Sequence, residues 1–362
     1  MQENHGKHKR PKSGGIRGRR PEGRGNTSDD REHPTMSSTE GNEDGTIPIF
    51  FTLDDSYALC LGPALQSMVD NADPSRTYVV VVIYEDLSDE HRKQFQAIID
   101  QSDAFSIRFV PMAGKIQGIQ NREGNYLRAD YFTLTIFFRL FIPEMFPEWD
   151  KGIYIDSDII VPGDISELFD IQLGGNLIGA CHDASILGIP EIVEYTNVAV
   201  GVGIENYINS GMLVFNMKAL REVGLQSRFL ELMDTYDFDC VAPDQDYFNS
   251  LCFGKIRYID QEWDAMPAEG QPEMENPKLI HYNLFSKPWC YDGIAYGDYF
   301  WKYARESGFY EEAKTYKENY SDEQKSHDAD ALAQLCERGV EIGKRGGNTM
   351  ATVFGTGKEP RL

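Results

Sequence analysis

The chain has 362 residues, 41% of them apolar and 12% aromatic, enough to bury one large domain or one domain with a small appendage. A formal net charge of −23 excludes the broad basic surface that a nucleic-acid partner requires, and disfavours adhesion of the folded part to an anionic membrane surface. No run of about 18 apolar residues occurs, so no membrane span is expected.

The first stretch runs against that overall acidity. Eight Lys and Arg residues face only Glu3 and Glu22 in the first 28 positions, among Gly, Ser and Pro. This composition predicts a disordered basic tail over 1–46, with no apolar core for a signal peptide and with Met36 as an alternative start. A first strand, "IPIFFTL", begins at Ile47. A helix over 56–69 follows, with Ser56 as N-cap and Pro63 in its second turn. "TYVVVVIY" is a β-branched run of the kind buried on both faces of a parallel sheet. Ser88 opens the next helix, "FSIRFVPM" is a further strand, a helix is predicted over 129–141, and "KGIYID" is a strand again.

This alternation predicts an α/β fold: an open, mixed but mostly parallel sheet flanked by helices, with ligands outside the carboxyl ends of its strands. "LIGACHD", "YINSGMLVFN" and "APDQDYFNSLCFGKIRYID" supply further strands and helices; charged helices are predicted over 298–342 and a loose tail after them. The expected organisation is a tail (1–46), a catalytic domain (47–297) and a C-terminal helical extension with its own tail (298–362). Six cysteines, Cys60, Cys181, Cys240, Cys252, Cys290 and Cys336, form no C-x-x-C pair, so free thiols in a reducing compartment are expected.

The chemistry concentrates where strands end in acids. After "KGIYI" come Asp156, Ser157 and Asp158, and in an extended segment the two carboxylates share one side while Ser157 points to the other. Such a pair repels itself unless a divalent cation sits between the carboxylates or one is protonated. Oxygen donors suit magnesium or manganese, although Asp is also an ordinary turn residue. "HYNLFSKPW" adds His281, an imidazole that favours manganese, and Lys287, a point charge for phosphate. Asp244, Gln245 and Asp246 follow Pro243 at a predicted helix start, where plain capping is the simpler account. Asn209, Ser210 and Gly211 precede an apolar strand, as a β-turn or as a close backbone approach to a ligand.

Taken in order, "TLDDSY", "FFRLFIPEMF", "YIDSDIIV", "NSGMLVFN", "PDQDYFN" and "HYNLFSKPW" resemble the retaining glycosyltransferases of family 8, which have the GT-A fold and include lipopolysaccharide galactosyltransferases and glycogenin. The resemblance implies a UDP-sugar donor, galactose or glucose, and a saccharide acceptor in surface-polysaccharide or lipopolysaccharide synthesis. It implies that Asp54, Ser56 and Tyr57 face the nucleoside, with Ser157 also on the nucleotide side. Asp156, Asp158 and His281 would hold manganese, with magnesium as the alternative, and Lys287 would neutralise the diphosphate. Arg139 would stand by the diphosphate or donor sugar, and Asp183, Asn209, Asp244 and Gln245 would surround the hexose. The expected location is the cytoplasm or the inner face of its membrane. A glycogenin-like self-glucosylating enzyme and a catalytically silent sugar-nucleotide-binding module are the competing readings.

Overall fold

The computed structural model describes residues 41–112, 135–236, 238–268 and 272–362. The predicted basic tail up to residue 40 and positions 129–134 of the helix predicted over 129–141 lie outside those residues; the described part is helical over Thr135–Phe138 and turns after it.

Nine strands are present among the described residues: β1 (Thr46–Leu53), β2 (Thr77–Tyr84), β3 (Phe105–Pro111), β4 (Lys151–Ile155), β5 (Ile159–Ile160), β6 (Ile178–His182), β7 (Ile208–Asn216), β8 (Ile256–Tyr258) and β9 (Ile280–His281). Seven form one sheet in the order β3-β2-β1-β4-β7-β6-β8. The pairs β3–β2, β2–β1, β1–β4 and β6–β8 are parallel, while β7 runs antiparallel to both β4 and β6. The strand order turns back between β1 and β4, so the acidic ends of those two strands flank one crevice, the usual ligand position in an open α/β sheet.

Both faces of the sheet are covered, which explains the unbroken β-branched run of β2. Val80 and Val82 pack with Phe51, Ile153 and the helix Ala58–Asn71; Val81 and Ile83 pack with Phe50, Tyr154 and Phe215 on the other side. Ser88 does cap the helix Asp89–Ile99, accepting the His91 N–H at 3.1 Å.

Two local expectations are corrected. The helix predicted to start at Ser56 begins instead at Ala58, after a single 3-10 turn, Asp55–Tyr57, which Asp54 caps. Asp54 is the better acceptor and already stands at the strand end, so it takes the capping position from Ser56. The stretch after residue 342 is no loose tail. Thr349 caps a short helix, Met350–Gly355, whose Met350, Val353 and Phe354 are buried. The Leu362 N–H then donates to the Leu251 carbonyl at 3.0 Å, and the Arg361 guanidinium lies 4.7 Å from the Phe253 ring centroid. Three apolar side chains spread over six residues carry too little periodicity to stand out among flanking glycines. Ending the chain at Gly347 is expected to cost roughly 5 kcal/mol of stability, from three apolar side chains left unburied. A denaturant melt reads this directly, and an unchanged midpoint would show that the segment does not hold the core.

Candidate functional site

The acidic pair is set by the exit from β4. β4 ends at Ile155 and β5 begins at Ile159; the chain bends at Ser157 and Asp158 between them, yet both carboxylates face the same imidazole, that of His281. Ser157 is 3% exposed and its hydroxyl donates to the Thr52 carbonyl at 3.4 Å. Ser157, expected on the nucleotide side, thus turns its side chain toward β1.

Strand β9 brings the imidazole. Ile159 pairs with His281, and the Tyr282 N–H donates to the Asp158 carbonyl at 2.9 Å. His281 Nε2 thereby lies 3.5 Å from Asp158 Oδ1 and 3.9 Å from Asp156 Oδ2. On the far side of the ring, Nδ1 is 3.0 Å from Asp264 Oδ1, a bond that fixes the ring orientation and aims Nε2 at the pair. Burial works against charge on this ring, but Asp158 and Asp264 outweigh it and raise its pKa to about 10.

Each carboxylate of the pair gives its second oxygen to a cation. Asp156 Oδ1 accepts from Arg139 Nη2 at 2.8 Å and from the Tyr154 hydroxyl at 2.5 Å. Asp158 Oδ2 accepts from Lys287 Nζ at 2.5 Å. Burial pushes the Asp158 carboxyl up, yet Lys287 and His281 hold it far below the usual carboxylate range. The oxygens left over, Asp156 Oδ2 and Asp158 Oδ1, are the two that face His281.

Arg139 lies beneath the site. It is 5% exposed, its Nη1 reaches the Ser210 carbonyl at 2.8 Å and Asp244 Oδ2 at 3.2 Å, and its guanidinium stacks 4.5 Å from the Tyr154 ring centroid. Burial alone would lower its pKa; Asp156 and Asp244 reverse that and keep it charged. So buried, Arg139 joins Asp156 of the acidic pair to Asp244, one of the residues expected around the hexose. Its charge offsets the cost of burying them.

The donor set fits a divalent cation. One ligand atom from each of Asp156, Asp158 and His281 lies within 4.8 Å of the others. The neighbouring backbone leaves the room. A Cβ on Gly211 would stand 2.3 Å from His281 Cε1 and 2.8 Å from Asp156 Oδ2. Two carboxylates and an oriented imidazole form a set that manganese or magnesium accepts.

Asn209, Ser210 and Gly211 lie within β7, not in a turn before it, because the Gly211 carbonyl accepts the Asp156 N–H at 2.8 Å and continues the ladder with the β4 exit. Beside them, Pro243–Leu251 forms the predicted helix with every residue buried. Gln245 is held at both ends: Oε1 accepts the Ser210 N–H at 3.0 Å and Nε2 donates to Asp183 Oδ2 at 2.8 Å. Asn209 Nδ2 donates to the same Asp183 oxygen at 3.2 Å. Asp244 takes the Ser210 hydroxyl at 2.9 Å as well as Arg139. No side chain caps this helix at Ala242; from within its first turn Asp246 accepts the Ala242 N–H at 3.1 Å and the hydroxyls of Tyr195 and Tyr207 at 2.6 Å each. Burial raises the Asp246 pKa to about 6 against those three donors.

At the end of β1, Asp54 Oδ1 accepts the Ser56 N–H at 3.0 Å and also bonds the Ser56 hydroxyl. The Tyr57 ring centroid is 5.8 Å from Lys287 Nζ, and both residues line a cavity of about 100 Å³ with Cys60, Trp289, Tyr316 and Tyr320. The structure therefore brings all the expected residues to one end of the sheet. It adds Tyr154 and Asp264, which the sequence did not single out. Tyr154 could have been found, since it lies two residues before Asp156 on the same side of a strand. Asp264, in "QEWDAM", carries no local signal.

The family model for glycosyl transferase family 8 matches residues 48–293. The chain belongs to that family. Lipopolysaccharide 1,3-galactosyltransferase of Salmonella typhimurium is 22% identical over 258 residues, covering 67% of this chain and 72% of its own. A relative from Haemophilus influenzae is 24% identical over 228 residues, covering 62% of this glycosyltransferase, which spans 64% of that relative's length. The structure of galactosyltransferase LgtC in complex with donor and acceptor sugar analogs superposes with a TM-score of 0.58 at 23% identity, covering 72% of this chain and 96% of that one. That likeness is one of fold, and the fold of this glycosyltransferase is GT-A. None of its described helices is long and apolar enough to cross a membrane.

Proposed function

We propose that this glycosyltransferase moves a hexose, galactose or glucose, from a UDP-sugar to a saccharide acceptor with retention of anomeric configuration, in surface-polysaccharide or lipopolysaccharide assembly. The observation that carries the reading is the division of oxygens at the acidic pair. One oxygen of each carboxylate is committed to Arg139 or Lys287 and the other faces His281 Nε2, which leaves a three-donor cradle beside a lysine. Manganese held by Asp156, Asp158 and His281 would supply electrophilic stabilisation of the departing diphosphate, so that no general acid is needed for it.

The chain's own groups account for the rest. Lys287 stands at the edge of the pair, where it can exchange its bond to Asp158 for a phosphate oxygen as charge grows on the leaving group. Asp54, Ser56 and Tyr57, at the end of the neighbouring strand, are the nucleoside side, and Asp183, Asn209, Asp244 and Gln245 are the hexose side. Retention through a covalent intermediate needs a free carboxylate nucleophile. Asp244 is fully buried, with Oδ2 held by Arg139 and Ser210 and Oδ1 closed off from solvent without a partner, Asp246 is enclosed by two tyrosines, and Asp183 accepts four hydrogen bonds. This favours front-face attack, in which the leaving phosphate oxygen takes the acceptor proton. The Gln245 amide, clamped by Ser210 and Asp183, then stabilises the oxocarbenium ion as a fixed dipole.

The test is a panel of UDP-sugars with manganese, read as UDP release and, with acceptor, by the anomeric proton coupling of the product. Slow release from UDP-galactose or UDP-glucose without acceptor is expected. Tight nucleotide binding without release from any donor would support the silent module instead, and stepwise hexose additions to the protein's own mass would support self-glucosylation.

A further inference from the structure

The loop from His281 to Lys287 carries a strained residue with a specific tie. Leu284 has a φ of 54°, in the left-handed region that a branched side chain avoids. Its N–H donates to Asn283 Oδ1 at 2.8 Å. The other end of the same amide, Nδ2, donates to Ser185 Oγ at 3.1 Å. Ser185 Oγ donates in turn to Asp183 Oδ1 at 2.5 Å, reinforced by the Ser185 N–H at 3.0 Å. The second oxygen of Asp183 holds Gln245 Nε2 at 2.8 Å. An unbroken chain of hydrogen bonds therefore runs from the backbone just before Lys287 to the amide of Gln245.

We propose that Asn283 and Ser185 are positioning residues that latch the Lys287 loop to Asp183, so that the diphosphate side and the hexose side of the site close as one unit. The inference rests on the UDP-sugar reading above. Three features support a latch over ordinary packing. Asn283, Leu284 and Ser185 are half-buried, so water can replace their bonds when the loop opens. The left-handed Leu284 favours departure once Asn283 lets go. Asp183, at the far end, is 1% exposed and fixed by several donors, so it serves as the anchor and the loop as the moving part.

The test uses two mild variants of the full chain. Asn283→Asp keeps an acceptor for the Leu284 N–H but presents oxygen where Ser185 needs a donor; Ser185→Ala removes the middle link. A latch holds bound donor equally in ground and transition states, so each variant is expected to raise the donor KM about tenfold with kcat changed less than about threefold. Because both cut one chain of bonds, the double variant is expected to be no worse than either single one. Thermal melts within about 2 °C of the unmodified protein would accompany this, since neither change opens a core cavity. Additive KM effects, unchanged KM, or a lowered melting temperature with KM intact would overturn the latch while leaving the donor assignment standing. Absence of UDP release by the unmodified chain from every UDP-sugar would overturn the donor assignment and the latch together.

Discussion

Asp158→Ala is expected to lower sugar transfer by about a thousandfold or more, because it removes a ligand and an electrostatic anchor in one step. Oδ1 faces His281 Nε2 at 3.5 Å, and Oδ2 holds Lys287 Nζ at 2.5 Å. With both gone, His281 and Asp156 are left as two donors, and Lys287 loses its carboxylate partner while keeping its bond to the Tyr282 carbonyl at 3.0 Å. Asp158→Asn separates the two losses. It keeps the shape and one acceptor oxygen but removes the charge, so most of the defect should remain if charge is what matters. Lys287→Ala is expected to be milder, about a hundredfold, since the ligands stay in place. Manganese binding by calorimetry, without any sugar, provides a readout independent of turnover. Weakened binding in Asp158→Ala with normal binding in Lys287→Ala is the expected pattern. If Asp158→Ala bound manganese and turned over as the unmodified protein does, the cradle would not be the metal site.

Much of this site was written locally in the sequence. The shared orientation of Asp156 and Asp158 was expected from extended backbone and holds although the chain bends at Ser157 and Asp158, and the sheet-end location of Asp54 follows from β-branched runs that stop at acids. His281 and Lys287 were legible as types, but their meeting with Asp158 depends on β9 pairing antiparallel to β5, which two-residue strands cannot announce. Asp264 was invisible for the same reason: it acts through a ring that arrives from 17 positions away. Arg139 was named, but a sequence shows a positive charge without showing that Asp156 and Asp244 would enclose it. The reading of Asn209–Gly211 as a turn failed through a competing use of the same residue types. Asn, Ser and Gly are turn formers, yet here they extend a buried strand whose polar side chains are all satisfied within the site. The segment after residue 342 was misread because a six-residue helix between glycines has too few apolar positions to set a period.

Gly211→Ala tests whether that strand residue is there to leave space. The backbone does not demand glycine, since Gly211 is not among the residues with positive φ. Substitution should therefore cost the sheet little. The conflict lies outward: the new methyl would meet His281 Cε1 at 2.3 Å, Asp156 Oδ2 at 2.8 Å and Asn209 Oδ1 at 2.9 Å. Contacts under 3.0 Å cannot persist, so something must move. The β7 backbone is pinned between β4 and β6, His281 is fixed by Asp264, and Asp156 by Arg139 and Tyr154. Relief has to come from displacing the imidazole or the carboxylate, which pulls a metal ligand out of position. About a hundredfold loss of transfer is expected, the cost typical of misplacing groups by about 1 Å. Melting should shift by only a few degrees, roughly what 1 kcal/mol produces in a chain of this size. Gly211→Ser, with one further atom, should be worse than alanine on activity and similar on stability. If alanine left turnover and manganese affinity intact, His281 and Asp156 would not need the positions they occupy, and the three-donor cradle would lose its strongest geometric support.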